Sequence, residues 1–157
     1  MKEVKKIVLS SQPTRCIHNR YENKIIVTSN KISCSLVFDK KTMFKYEDDE
    51  FEYNAPKNVS WSHKYSIIEM VLLERIFDYA KTFEYSPKCF VLDGQGIDIE
   101  IEYEDGSKYE SGDSYGDSIG PEYDSLFSII QLISFLIPKN KYKPDFFNAY
   151  DPWAKHK

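Results

Sequence analysis

An α+β fold, with an antiparallel sheet of meander plus hairpin packed by two main helices, is predicted by three patterns in the 157 residues. Apolar and polar residues alternate through Lys31 to Phe38 and through Ile97 to Tyr103, the period of a half-buried strand. Apolar residues recur at three- and four-residue intervals between Ser62 and Phe83, the period of a helix. A third stretch, Leu126 to Ile137, is apolar almost all round and predicts a deeply buried helix. With 41% hydrophobic and 15% aromatic residues the chain has material for one core, so a single domain over 1–157 is expected.

In chain order, Val4 to Leu9 predicts a short strand and Gln12 to Asn23, with Pro13 and Asn19, a loop. Lys24 to Thr28 is a β-branched run, and Ser29-Asn30 supplies a turn before Lys31 to Phe38. There Ile32, Cys34, Leu36 and Phe38 should face the core. Met43 to Tyr46 and Phe51 to Tyr53 predict a further pair around the acidic loop Glu47-Asp48-Asp49-Glu50. The helix from Ser62 should use Ser60 or Ser62 as N-cap and bury Ile67, Ile68, Val71, Leu72, Ile76, Phe77 and Ala80. Cys89 to Leu92 predicts a strand after Pro87, and Pro121 suits the first position of the last helix, which Pro138 ends. The tail 139–157 is basic and aromatic, with Tyr142, Phe146, Phe147, Tyr150 and Trp153 expected to tie it back to the domain.

The hairpin after Gly96 can be read to its register. Ile97, Ile99, Ile101 and Tyr103 alternate with Asp98, Glu100 and Glu102, which separates apolar from acidic faces. A two-residue Asp105-Gly106 loop would pair Ile101 with Glu110 and mix the faces. A three-residue loop with left-handed Gly106 pairs Ile101 with Tyr109 and Glu102 with Lys108, keeping both faces consistent. It also sets Glu100 opposite Glu110, an unfavourable pair that invites an outside cation.

The pieces Tyr103-Glu104-Asp105-Gly106, Ser111-Gly112, Pro121, Tyr123 and Leu126 resemble a pattern of small uncharacterised bacterial α+β domains. That resemblance implies a hairpin-plus-helix arrangement and assigns no functional residue.

Charge is the strongest functional signal. Between Asp93 and Asp124 eleven carboxylates face one base, Lys108, a local charge of −10 in a chain whose total is −4. Such segregation selects a cationic partner and repels phosphates, so direct nucleic-acid binding through this region is not expected. A charged outer face also serves solubility and edge protection. The favoured expectation is a non-catalytic binding protein that inhibits a basic protein: an immunity protein for a nuclease toxin, or a phage-type inhibitor of a nucleic-acid enzyme. Asp98, Glu100, Glu102, Glu110 and Asp113 would meet the cationic surface, and Tyr109, Tyr115 and Tyr123 would anchor it.

Catalytic signals are sparse. Cys16 and His18 lie two apart, and His18 and His63 are the histidines available for acid–base work, so a small hydrolase is the competing enzyme reading. A structural self-assembly module pairing through a strand edge is a third. Asp113-Ser114-Tyr115-Gly116-Asp117 lacks the ligand series of a calcium loop, and Asp93-Gly94-Gln95-Gly96 lacks the lysine of a phosphate loop. No cofactor and no metal are implied. Three widely spaced cysteines suit a reducing compartment, and no apolar run approaches the roughly 20 residues of a membrane span, so a cytoplasmic protein is expected.

Overall fold

In the computed structural model the described residues are 2–12, 21–38, 58–83, 96–115, 124–144 and 147, with side chains placed except at 11, 12, 21, 22, 38, 96, 97, 111–115 and 124–127. Six strands form one antiparallel sheet: β1 (Val4–Gln12), β2 (Tyr21–Thr28), β3 (Lys31–Phe38), β4 (Val59–Lys64), β5 (Gly96–Tyr103) and β6 (Lys108–Tyr115), in spatial order β4-β3-β2-β1-β5-β6. Two helices, α1 (Ile67–Lys81) and α2 (Asp124–Ser134), complete an α+β architecture. The expected pairs around Glu47 to Glu50, the strand at Cys89 to Leu92 and Pro121 lie outside the described residues.

The alternation in each strand sends one set of side chains to a shared core. Ile7, Leu9, Ile25, Val27, Ile32, Ile99 and Ile101 are fully buried there with Ile76 and Ala80 of α1 and Ile129 and Ile133 of α2. Cys34 belongs to the same set, and burial pushes its thiol up to about 11, leaving it protonated and unreactive near neutral pH. Contacts to the rest of the chain involve described residues of 139–147. Phe147 is buried, Tyr142 donates from its hydroxyl to Asn23 Oδ1 at 3.1 Å, and Trp61 Nε1 donates to the Tyr142 carbonyl at 2.8 Å.

Two expectations are corrected around α1. Residues 59–64 are strand, so no helix starts at Ser62 and neither Ser60 nor Ser62 is its cap; Val59, Trp61 and His63 turn inward and Ser60, Ser62 and Lys64 outward. The helix begins after Ser66, whose hydroxyl accepts from Glu69 N while the Glu69 carboxylate accepts from Ser66 N at 2.7 Å, a reciprocal capping box. With the start fixed there, Leu73, Ile76 and Ala80 form the core stripe. Ile67, Ile68 and Val71 fall on the other side and are 86%, 83% and 55% exposed.

Candidate functional site

The acidic face is built by β5 and its two neighbours. The β5–β6 turn adopts the three-residue form: Gly106 has φ +83°, its N–H donates to the Tyr103 carbonyl at 3.0 Å, and Ser107 N donates to Asp105 Oδ1 at 2.9 Å. Hydrogen bonds from Ser107 Oγ and then Ser107 N hold the Asp105 carboxyl below its ordinary range. The register places Ile101 opposite Tyr109, Glu102 opposite Lys108 and Glu100 opposite Glu110. On the other flank β1 sets Lys6 opposite Glu102, Val8 opposite Glu100 and Ser10 opposite Asp98. Asp98, Glu100 and Glu102 therefore project from one side of a three-stranded platform, at the two-residue repeat of ~7 Å.

The platform supplies cations that the sequence did not disclose. Val4 pairs with Tyr103 and Lys6 with Glu102, so Lys5 is an extra residue at a β-bulge. The bulge brings two consecutive lysines to one carboxylate: Lys5 Nζ donates to Glu102 Oε1 at 2.8 Å and Lys6 Nζ approaches Oε2 at 2.9 Å. Hydrogen bonds from Lys5 and Lys6 pull the Glu102 carboxyl down to about 2, and the same contact raises Lys5. Lys108 reaches diagonally to Glu100 at 3.2 Å, beside the Glu100–Glu110 pair, and is raised by that carboxylate. The Glu100–Glu110 pair, which in sequence invites an outside cation, thus has an internal one beside it in Lys108. Glu110 stays exposed on the outer strand, and Asp98 is half-buried at the far end of the row.

The remaining residues divide. Tyr109 is opposite the core residue Ile101 and packs edge-on against Phe83, ring centroids 5.6 Å apart, so it belongs to the helix-covered side and not to the acidic one. A second irregularity, between Ile97 and Ile99, inserts an extra β6 residue in the stretch holding Gly112 and Asp113, and beyond it Tyr115 pairs with Gly96. The side chains of Asp113 and Tyr115, and all of Tyr123, lie outside the described residues. Cys16 and His18 lie outside them too. His63 is held by its Nε2, 2.9 Å from Glu69 Oε2, an oxygen that also accepts from Ser66 N. Burial pushes the Glu69 carboxyl up, but the Ser66 N–H and His63 outweigh it and keep the group below its ordinary range. This contact ties β4 to the first turn of α1.

Among the described residues no three His, Cys, Asp or Glu side chains converge as metal ligands, and no helix is long and apolar enough to cross a membrane. Comparison with protein-family models, with curated proteins and with solved structures finds no match to this chain.

Proposed function

We propose that this chain is a non-catalytic binding protein that neutralises a basic protein surface, of the kind that a nuclease toxin or another nucleic-acid enzyme uses to hold phosphates, in a reducing compartment such as the cytoplasm. The observation that supports the reading is the row Asp98, Glu100 and Glu110, displayed on paired strands whose register is fixed from both flanks. Glu102 takes a different part. Already engaged by Lys5 and Lys6, it positions the row and offers little charge to a partner. Tyr109 leaves the set of anchors, while Asp113, Tyr115 and Tyr123 remain its proposed extension along β6 and beyond.

The test is affinity capture from a lysate of the source organism with wild type and with the Asp98→Lys/Glu100→Lys/Glu110→Lys variant, which spares the Glu102 cluster. A basic protein retained by the wild type and lost by the variant supports the reading; no row-dependent partner overturns it. The His63–Glu69 contact is the observation behind a second reading, a small hydrolase using Cys16, His18 and His63. In that case His63→Ala abolishes a measurable turnover and reversing the acidic row leaves it intact.

A further inference from the structure

On the opposite, helix-bearing side lies a cleft of about 700 Å³ between the first turn of α1 and the C-terminal end of α2, a size within the ~300–1,000 Å³ of small-ligand sites. Its wall is apolar, from Ile130, Phe135, Ile137 and Phe147, and its rim carries Lys139, Lys141 and Lys143. Phe135, just after α2, is 72% exposed and presents its ring to the cleft. Two of the polar lining residues are engaged from within. Glu69, the one carboxylate among the described lining residues, accepts from Ser66 N and meets His63, and Ser134 Oγ donates to the Gln131 carbonyl at 2.6 Å. Among the described residues none of the three lysines forms an ion pair, and Lys143 instead sits 5.6 Å over the Phe147 ring.

From an apolar wall edged by Lys139, Lys141 and Lys143, we infer that the cleft binds a small anionic amphiphile: a carboxylate or phosphate head on an aliphatic body. The body would lie along Ile130, Phe135 and Ile137, covering the exposed ring, and the head would meet Lys139 and Lys141. Charge decides the class. A cationic or neutral amphiphile gains the same apolar contact but leaves the lysines clustered and unneutralised. The site is independent of the acidic face, which lies across the sheet.

The probe is decanoate, kept below its micelle concentration and titrated calorimetrically into the full chain, with decanol and decyltrimethylammonium as comparators. Saturable one-to-one binding of decanoate, and much weaker binding of both comparators, is expected. Lys139→Gln/Lys141→Gln/Lys143→Gln should weaken decanoate by about tenfold, as should Phe135→Ser, with unfolding midpoints unchanged because these side chains are largely solvent-facing. Equal affinity for the three amphiphiles, no saturable binding, or an unaltered affinity in the lysine variant overturns the inference. Capture of a basic partner by the acidic row should be unaffected by either variant, so failure of one proposal is visible separately from failure of the other.

Discussion

The two sides of the sheet solve opposite electrostatic problems. On the outer side of β5 and β6 carboxylates are in excess, and the chain spends Lys5, Lys6 and Lys108 on Glu102 and Glu100. On the helix side Lys139, Lys141 and Lys143 edge an apolar cleft in which Glu69, the one carboxylate among the described lining residues, is occupied by a helix cap and a histidine. A net charge of −4 averages two fields of opposite sign. The difference teaches that neutralisation is selective: the centre of the acidic face is locked by internal ion pairs, while its margin at Glu110 keeps the charge that a partner would meet.

Substitutions that separate the two faces of one strand should break or sharpen that contrast. Ile101→Ala removes a residue with 0% exposure from between β1 and β6 and should cost about 2–5 kcal/mol in denaturant unfolding. Glu100→Gln, one position earlier on the other face, should leave the midpoint nearly unmoved. Gly106→Ala should cost about 1–2 kcal/mol, since its φ of +83° is strained for any L side chain although no atom lies within 4 Å of the added Cβ. Ser66→Ala should cost about 1 kcal/mol by opening the cap that also orients Glu69, measured by thermal unfolding.

A pH titration gives the smallest of these effects. The folded Glu102 carboxyl titrates at about 2 against an ordinary value of 4.5. A depressed carboxylate stabilises the fold above the unfolded value, so the contribution is complete above 4.5 and is lost as pH falls from there towards 2. Lys5→Gln should raise the Glu102 midpoint in a carboxyl NMR titration. An unchanged midpoint would mean that the bulge does not deliver Lys5 to this carboxylate.

Much of the sheet was legible because period-two alternation and turn chemistry are local. Glu100 to Glu110 could be registered from the sequence since only the three-residue turn kept Glu102 and Lys108 on one face and Ile101 and Tyr109 on the other; the irregularity at Ile97 could not. Strand β4 was missed although Val59-Ser60-Trp61-Ser62-His63-Lys64 alternates, because the helical spacing downstream was extended back to Ser62. The signal that corrects it is also local: Ser66 followed three residues later by Glu69, a capping box. What could not be read was long-range. Nothing in Lys5-Lys6 announces a bulge opposite Glu102, and nothing in Phe135 or Lys139 to Lys143 announces a cleft with Glu69, 66 to 74 residues away in sequence. Such features arise only when separate elements are brought together, so the acidic row was visible in sequence and its internal lysines were not.

The decisive measurement is the affinity of the captured basic protein for wild type, for Glu100→Gln/Glu110→Gln and for Lys5→Gln, each at low and moderate salt. Loss of about tenfold or more in the first variant, with a shallower salt dependence, and little change in the second are expected if Glu100 and Glu110 make the contact. Undiminished binding by Glu100→Gln/Glu110→Gln would contradict the proposal and leave the acidic face a solvated surface.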